Sequence, residues 1–318
     1  MTDDRSKFRI AVVGIGGVGG YIGGRLATRF AESDSVEVVL AARGANAQAI
    51  RAEGLKLVTT AGEQIVRPKL AAVGELGEPD LIILSTKEYD LEETVASLKE
   101  SIGERTSILP LLNGVDTKER IARMLPAADV WQGCIYIISR LAAPGVIEET
   151  GGVCRIYFGN GSAETEKPRV VETLLREAGI DDAHFSDEIE ARIWEKYVFI
   201  SPLAAATSYL NLKIRALFGD PEHKKLFDEL LAEIKQLARA KNIGLSEDTV
   251  RESVGKLNHV PFEATSSMHS DFSRGNRAEL QSLVGYVVRE ARALHVPMPV
   301  YDKVYGELLK KLDQTAGE

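Results

Sequence analysis

The sequence predicts an α/β protein in two parts, a doubly wound parallel sheet followed by an all-helical domain. From residue 8 to about residue 110, apolar runs typical of buried strands alternate with segments of helical periodicity. That alternation indicates parallel strands joined by helical crossovers. A glycine-rich turn joins the first strand to the first helix, and from residue 187 onward only helical patterns occur.

The N-terminal domain is predicted to span residues 1–187. Its strand-like runs are FRIAVV, VEVVLA, DLIILST and SILPLL. Its helices are predicted at 17–31, 45–53, 90–100 and near 163–178. Between about 130 and 160, shorter strand-like runs are broken by Pro144-Gly145 and Gly151-Gly152. These runs indicate antiparallel additions to the same sheet.

The C-terminal domain, residues 188–318, is predicted to be helical throughout. Segments of helical periodicity lie at roughly 187–212, 221–241, 247–257, 277–294 and 300–313. The breaks between them contain glycine or proline, which disfavour a continuous helix. They fall at Gly219-Asp220-Pro221, Gly244, Pro261 and Pro297 to Pro299.

Composition argues against several classes of function. A chain of 318 residues with 44% hydrophobic content is long enough for two domains with buried cores. A net charge of −8 disfavours nucleic-acid or anionic-membrane partners. No run has the eighteen apolar residues of a membrane span, and the N-terminus lacks a secretion signal. Cys134 and Cys154 fit the buried thiols of a cytoplasmic protein, and the histidines form no metal-binding motif.

The glycine-rich turn carries the first functional signal. Gly14-x-Gly16-x-x-Gly19 follows a buried strand and opens a helix, as in the dinucleotide-binding turn of Rossmann-like domains. Gly14 permits the tight turn, Gly16 lets a pyrophosphate approach the backbone, and Gly19 allows close packing of helix and strand. The predicted cofactor contacts are Gly14, Ile15, Gly16, Gly17, Val18 and Gly19. The alternative is a glycine turn that serves packing only.

More glycines follow within the same predicted helix. Gly16, Gly20 and Gly24 recur every four residues, as do Gly19 and Gly23. This spacing predicts a stripe without side chains on the helix face that packs against the sheet. We therefore expect Gly20, Gly23 and Gly24 to serve helix packing and not cofactor contact.

The end of the second strand indicates which dinucleotide binds. NAD sites usually place Asp or Glu there to bind the ribose 2′-hydroxyl. Here the strand ends at Arg43, and its only acid, Glu37, lies near its beginning. Because a guanidinium can bind phosphate oxygens in bidentate fashion, Arg43 favours NADP(H). The alternative is a solvated loop arginine.

Two further strand ends carry polar residues. In open α/β sheets, ligands bind outside the carboxyl ends of the strands. One predicted strand leads into Lys87, and another leads into Asn113-Gly114. The amide of Asn113 can fix a carboxamide or a substrate oxygen, since it both donates and accepts hydrogen bonds. A loop lysine and a turn asparagine are the structural alternatives.

Lys196 is the candidate proton donor of the helical domain. The sixteen residues 197–212 carry no charge, and Lys196 shares a helical face with Ile193, Ile200 and Leu203. Its stem is therefore predicted to point toward the buried side. A desolvated ammonium has a lowered pKa, which suits proton exchange near neutral pH. The alternative is a lysine that extends to solvent, and Pro202 is expected to kink the helix.

A second polar cluster lies at Ser266 to Asp271, and Asn276 and Glu279 follow it. Structural roles explain these residues equally well. Asn276-x-x-Glu279 has the spacing of a capping box, and either Ser266 or Ser267 can cap a short helix. Spacing does not separate helix capping from substrate binding.

Taken together, these motifs resemble those of the ketopantoate reductase family over nearly the whole chain. The matching pieces, in order, are GIGGVGG, Arg43, STK ending at Lys87, LNGVDT, PGVIEE, IWEK, and SSMHSD with a glutamate following. Each piece alone is common, whereas their order and spacing together are specific. The resemblance implies a two-domain enzyme that reduces a 2-oxo acid with NADPH, namely 2-dehydropantoate to pantoate in pantothenate biosynthesis.

The resemblance also implies roles for individual residues. Lys196 corresponds to the catalytic lysine that protonates the carbonyl oxygen, and Glu279 to the acid that holds the substrate hydroxyl. Asn113 is implied near the nicotinamide and substrate, with Lys87 beside it. The remaining substrate contacts that we expect are Ser267, which would bind the carboxylate, together with Asp271 and Thr207.

One departure from the family pattern leaves the substrate open. Many members carry asparagines on the helix after the lysine, where this chain has Ile200 and Ala204. Apolar groups there remove hydrogen bonds to a substrate, which can change selectivity strongly. The alternatives are a reductase of a different branched 2-oxo acid and a non-catalytic NADP(H)-sensing protein. A homodimer formed through the helical domain is also compatible with the sequence.

Overall fold

The computed structural model describes residues 7–162, 166–256 and 262–315, and these residues form two units. The first unit extends to Leu112 and resumes from Thr117 to Ile189. The second unit combines the loop Asn113–Asp116 with the chain from Glu190 onward. Sequence reasoning places these four loop residues in the N-terminal domain, because they follow one of its strands. In this loop, Asn113 accepts a hydrogen bond from Lys196 of the helical unit.

Eleven strands and twelve α-helices occur within the described residues. The strands are β1 (Phe8–Val13), β2 (Val36–Ala41), β3 (Leu55–Thr59), β4 (Gly62–Val66), β5 (Lys69–Ala71), β6 (Leu81–Leu84), β7 (Ser107–Pro110), β8 (Asp129–Val130), β9 (Gln132–Ala143), β10 (Val146–Gly159) and β11 (Asp182–Phe185). The helices are α1 (Gly17–Arg29), α2 (Gly44–Glu53), α3 (Leu91–Leu98), α4 (Thr117–Met124), α5 (Glu166–Glu177), α6 (Ile189–Leu210), α7 (Ile214–Phe218), α8 (Pro221–Ala240), α9 (Glu247–Lys256), α10 (Ser267–Ser273), α11 (Tyr286–Ala293) and α12 (Pro299–Thr315). A π-helical turn, Gln281–Gly285, leads into α11.

Each helix that periodicity predicts is found, and the short helices α4, α7 and α10 are added. Proline does not end α6, which continues through Pro202. Three predicted features lie outside the described residues: the first residues of the helix predicted at 163–178, the end of the helix predicted at 247–257, and the break at Pro261.

The first sheet is parallel and has the order β5-β2-β1-β6-β7-β8. Alternate residues of β1 belong to different cores, with Ile10 and Val12 on one face and Ala11 and Val13 on the other. Burial on both faces explains why the run is continuously apolar. Because β1 pairs with both β2 and β6, the strand order reverses there. This is the position at which doubly wound folds bind ligands. The predicted doubly wound, Rossmann-like fold is confirmed.

The second sheet corrects the prediction for residues 130–160. Apart from Val130, the last residue of β8, these residues do not extend the parallel sheet. Instead β9 and β10 form a long antiparallel hairpin, and β10 pairs in parallel with β3 and β11. β3 in turn pairs with β4, which gives a separate five-stranded sheet. The pairing of β3 with β10 joins segments ninety residues apart, for example Leu57 with Ile147. No local pattern specifies such a pairing.

Helix α1 lies between the two sheets, and its glycines serve both contacts. A Cβ on Gly23 would come within 2.6 Å of Leu40 in β2. On the opposite side, a Cβ on Gly20 would meet Ile147 of β10 at 2.4 Å, and one on Gly24 would meet Leu57 of β3 at 2.8 Å. The predicted single stripe is therefore two stripes, one for each sheet.

Cys154 on β10 is expected to be chemically inert in the folded protein. Burial, with a further contribution from the charge of Glu149, raises the pKa of its thiol to about 12. At pH 8 the reactive thiolate fraction is then on the order of 10⁻⁴. We expect iodoacetamide to label native Cys154 far more slowly than it labels the protein unfolded in urea. Mass spectrometry of the labelled peptide measures both rates, and equal rates would contradict the assignment.

The helical unit forms its own core around α6. Tyr197, Val198 and Ala205 of this helix are almost wholly buried. Central burial explains why residues 197–212 carry no charge. Among the described residues, no helix combines the length and apolar character needed to cross a bilayer.

Candidate active site

The glycine-rich turn has the geometry of a phosphate-binding loop. Gly14 has φ +89°, and a Cβ there would lie 2.8 Å from backbone atoms of Ser85 and Thr86. A Cβ on Gly19 would lie 2.2 Å from the carbonyl oxygen of Gly14. In contrast, Gly16 is the N-cap of α1, and a Cβ there would meet no protein atom within 4 Å. Open space therefore faces the helix N-terminus, and this arrangement fits the pyrophosphate of a dinucleotide.

The side chains of Ile15 and Val18 pack against the protein core, and Gly17 has none. Ile15 is buried, and Val18 packs against the same core. A Cβ on Gly17 would lie 2.5 Å from the carbonyl oxygen of Ser139 in β9, so this glycine is required by packing. Any cofactor contact by Ile15 or Gly17 is therefore expected through their peptide groups.

Asn46 of α2 holds the turn and was not predicted from sequence. Its Nδ2 donates to the carbonyl oxygen of Ile15 at 2.7 Å. Its Oδ1 accepts from the backbone N–H of Gly145 at 2.8 Å. The side chain thus joins the glycine-rich turn to the bend between β9 and β10. No sequence signal marks this residue, because it occupies an ordinary polar position in a short helix.

Arg43 lies at the carboxyl end of β2, as predicted, and forms an ion pair with Asp90. The side chain of Arg43 is 70% exposed and that of Asp90 is 15% exposed. Glu37, at the other end of the strand, pairs with Lys69 and Arg9. Hydrogen bonds from these two cations hold the pKa of Glu37 below its usual range. Glu37 is therefore committed to the fold and does not occupy the position of an NAD-binding acid.

Lys87 follows β6 and begins the short turn Glu88–Asp90 that carries the partner of Arg43. The preceding hydroxyl oxygens, Ser85 Oγ and Thr86 Oγ1, are buried and make no hydrogen bond to the described residues. Both lie at the carboxyl end of β6, next to Gly14. Both hydroxyls can therefore still form a hydrogen bond with a ligand at this strand end.

In the helical unit, Lys196, Asn113 and Glu279 form one hydrogen-bonded cluster. The ammonium of Lys196 donates to Asn113 Oδ1 at 3.0 Å. Asn113 Nδ2 donates to Glu279 Oε2 at 3.3 Å. Lys196 is 9% exposed and Glu279 is 4% exposed. Lys196 therefore points inward, as its helical face predicts, and does not extend to solvent.

The structure also excludes the capping-box interpretation of Glu279. A capping box would place this residue in the first turn of a helix begun at Asn276. Instead, residues 276–279 are irregular, and helical structure begins only at Leu280. The side chain of Glu279 bonds to Asn113, and its carbonyl oxygen accepts from the N–H of Leu283 at 3.2 Å.

In the polar cluster Ser266 to Asp271, Ser266 has a structural role and Ser267 is accessible to solvent. Ser266 caps α10, since its hydroxyl accepts from the N–H of His269 at 3.1 Å. Thr207 is fully buried; its hydroxyl donates to the carbonyl of Leu203 at 2.6 Å and lies 2.8 Å from Ser266 Oγ. This geometry favours a supporting role for Thr207 over the predicted substrate contact. Ser267, the first residue of α10, is exposed, and Asp271 of the same helix is partly buried.

The predicted residues thus fall into two groups. The dinucleotide turn, Arg43 and Lys87 belong to the first unit. Lys196, Asn113, Glu279 and the polar cluster Ser266 to Asp271 belong to the helical unit. Within the described ranges, no group of three or more His, Cys, Asp or Glu side chains is placed to hold a metal ion.

Two family models match the chain. The model described as "Ketopantoate reductase PanE/ApbA" matches residues 10–163, and that described as "Ketopantoate reductase PanE/ApbA C terminal" matches residues 188–312. The chain belongs to the ketopantoate reductase family. It is therefore an oxidoreductase. The resemblance inferred from its sequence motifs is confirmed.

Individual relatives agree with this assignment over nearly their whole length. An uncharacterised oxidoreductase of Bacillus subtilis is 29% identical, covering 94% of this chain and 97% of that protein. A 2-dehydropantoate 2-reductase of Mesorhizobium japonicum is 26% identical, and the match covers 93% of this chain and 95% of that protein. The crystal structure of 2-dehydropantoate 2-reductase from Porphyromonas gingivalis is 38% identical, has a TM-score of 0.82, and is matched over 95% of this chain and 99% of that one.

Another protein of similar fold was solved with a nicotinamide cofactor. The ternary structure of D-mandelate dehydrogenase with NADH and anilino(oxo)acetate has a TM-score of 0.86 at 22% identity. The match covers 97% of this chain and 99% of the D-mandelate dehydrogenase chain. At this identity, the likeness concerns the fold alone.

Proposed function

We propose that this protein reduces a 2-oxo acid to the 2-hydroxy acid with NADPH. The first substrate to test is 2-dehydropantoate, whose product is pantoate, an intermediate of pantothenate biosynthesis. The observation that carries the proposal is the buried cluster of Lys196, Asn113 and Glu279, in which an amide links a cation to a carboxylate. The curated relatives named 2-dehydropantoate 2-reductase support the same reaction class.

The cluster contains the groups that carbonyl reduction requires. When bound, NADPH supplies the hydride that adds to the carbonyl carbon. Lys196 stabilises the negative charge that develops on the carbonyl oxygen and then donates a proton to it. Asn113 orients the ammonium through its Oδ1 atom. Glu279 accepts a hydrogen bond from a substrate hydroxyl, and the exposed hydroxyl of Ser267 donates to the substrate carboxylate.

Arg43 supports NADPH as the cofactor, although it is paired with Asp90. A guanidinium has five N–H donors in a planar fork, so it can keep one carboxylate contact and still bind a 2′-phosphate. The side chain is largely exposed, which leaves its other donors available to a ligand. The chain has no acid at the end of β2 for the ribose hydroxyl of NADH.

Arg43→Ala is expected to raise the Kd of NADPH by about tenfold to a hundredfold, because a charge-assisted hydrogen bond contributes about 1.5–3 kcal/mol. The Kd of NADH should change much less, since NADH lacks the phosphate. Titration monitored by nicotinamide fluorescence measures both constants. Arg51→Ala, an exposed arginine in the last turn of α2, is the matched control. Equal weakening of NADPH and NADH would show that Arg43 does not recognise the phosphate.

The reaction is tested by NADPH oxidation against a panel of 2-oxo acids. The most informative pair is 2-dehydropantoate and 3-methyl-2-oxobutanoate, which has no hydroxyl group. A site built to bind that hydroxyl rejects the second compound by about 10⁴-fold or more. Binding of NADPH without reduction of any oxo acid would instead support the non-catalytic sensor.

One observation favours a different branched 2-oxo acid as the second candidate. Ile200 and Ala204 follow Lys196 at intervals of four residues along α6 and therefore lie on the same helical face. Neither side chain can donate a hydrogen bond to a substrate. If these residues set the specificity, 3-methyl-2-oxobutanoate will have a kcat/KM at least equal to that of 2-dehydropantoate.

A further inference from the structure

The π-helical turn that follows Glu279 is held by hydroxyl groups of α6. Tyr197 donates its hydroxyl to the carbonyl oxygens of Ser282 at 2.7 Å and Leu283 at 3.2 Å. Ser201, one turn further along α6, donates to the carbonyl oxygen of Leu283 at 2.5 Å. Both carbonyls belong to the π-helical turn. Turns of this type are rare inside helices and are frequent at functional sites.

A third hydroxyl completes this arrangement. The hydroxyl oxygens of Ser201 and Tyr301 lie 2.7 Å apart. Because Ser201 gives its only proton to Leu283, Tyr301 must donate to Ser201. Tyr301 is itself fixed, since its backbone N–H donates to Glu233 at 2.9 Å. Burial raises the pKa of the Tyr197 and Tyr301 phenols well above the usual range, so both remain donors at any physiological pH.

These hydrogen bonds lie next to both ends of the candidate active-site cluster. Tyr197 directly follows Lys196 on α6, and Ser282 is three residues after Glu279. Ser282 also lies against the loop that carries Asn113, because a Cβ on Gly114 would approach Ser282 Cβ to 3.2 Å. Gly114 has φ +107°, which a larger residue rarely adopts. The π-helical turn therefore contacts α6 and the Asn113 loop at once.

We propose that Tyr197 and Ser201 are positioning residues, which fix Glu279 and the Asn113 loop relative to Lys196 by holding the carbonyls of Ser282 and Leu283. The inference rests on the reductase activity proposed above. Both side chains are buried, and their hydroxyls bond to backbone carbonyls of the π-helical turn. Each acts through the backbone that carries Glu279, and a displacement of about 1 Å at a reacting group can cost a hundredfold in rate.

The experiment compares Tyr197→Phe, Ser201→Ala and the double variant with the wild type. Each single variant is expected to lower kcat about tenfold to a hundredfold and to weaken binding of oxamate, a 2-oxo acid isostere that is not reduced. The Kd of NADPH should stay within about twofold. The double variant should lose less than the product of the two single effects, since both hydroxyls hold the same turn.

Thr106→Val is the matched control. The hydroxyl of Thr106 is also buried and donates to a backbone carbonyl, that of Pro79, at 2.7 Å, but it belongs to the first unit. We expect a comparable fall in Tm without a change in kcat or oxamate binding. If Tyr197→Phe and Ser201→Ala lower Tm in the same way but keep wild-type kcat and oxamate binding, their role is structural only and the proposal is overturned.

Crystal structures of the variants separate this inference from the reductase assignment. The Asn113 Nδ2 to Glu279 Oε2 separation, 3.3 Å here, is expected to increase in Tyr197→Phe. An unchanged separation in both single variants would overturn the positioning role, whatever the wild type reduces. If the separation increases but the wild type reduces no 2-oxo acid, the positioning role holds and the reductase assignment fails.

Discussion

Lys196→Met is expected to lower kcat for 2-oxo acid reduction by about 10²- to 10⁴-fold, the usual contribution of general acid catalysis. The substitution removes the ammonium but keeps an unbranched apolar stem in a buried position. The carbonyl oxygen then gains its negative charge without a cation beside it and without a proton donor. Stopped-flow measurement of NADPH oxidation under single-turnover conditions would measure the chemical step directly.

Two further measurements make this result specific. The Kd of NADPH should be nearly unchanged, because Lys196 belongs to the helical unit and not to the glycine-rich turn. Lys225→Met, which replaces an exposed lysine of α8, should behave as the wild type. A Lys196→Met variant that keeps full kcat would show that another group supplies the proton.

Gly16→Ala and Gly19→Ala are expected to weaken dinucleotide binding for different reasons. A methyl group on Gly16 meets no protein atom within 4 Å, so the fold should tolerate it with a loss under about 1 kcal/mol. The same methyl group fills the space through which the pyrophosphate approaches the helix N-terminus. We expect the Kd of NADPH to rise at least tenfold while the urea midpoint stays close to that of the wild type.

Gly19→Ala should lose stability as well as binding. Its Cβ would lie 2.2 Å from the carbonyl oxygen of Gly14, and a backbone atom cannot move aside as a flexible side chain can. Overpacking of this kind typically costs about 1–3 kcal/mol. Urea unfolding and fluorescence titration of both variants measure the contrast. Wild-type affinity in Gly16→Ala would mean that no phosphate approaches the backbone at this position.

The sequence predicts the elements whose cause is local. The continuously apolar β1, the glycine spacing of α1 and the uncharged stretch of α6 each give a pattern within a few residues. These patterns predict the parallel sheet, the dinucleotide turn and the inward direction of Lys196. The second sheet escapes prediction, because β3 is short and its partner β10 lies about ninety residues away.

The same contrast between local patterns and long-range contacts applies to the candidate site. The link from Lys196 through Asn113 to Glu279 joins residues that are 83 and 166 positions apart, and spacing alone carries no information about it. Only the family resemblance implied that these three residues act at one site. Asn46 and Ser201 had no signal at all, since each acts by holding a distant backbone carbonyl. Thr207 illustrates the reverse case, because it was a predicted substrate contact, whereas its burial and hydrogen bonds favour a supporting role.

The position of α1 between two sheets has a consequence for the stability of the cofactor-binding turn. Five of its thirteen residues are glycine, and each costs roughly 1 kcal/mol of helix stability relative to alanine. An isolated segment of this composition does not stay helical in water. The helix is therefore stable only together with its contacts to Leu40 on one side and to Ile147 and Leu57 on the other. Cofactor affinity in this chain thus reports the assembly of the whole N-terminal unit, including a hairpin that contributes no predicted ligand contact.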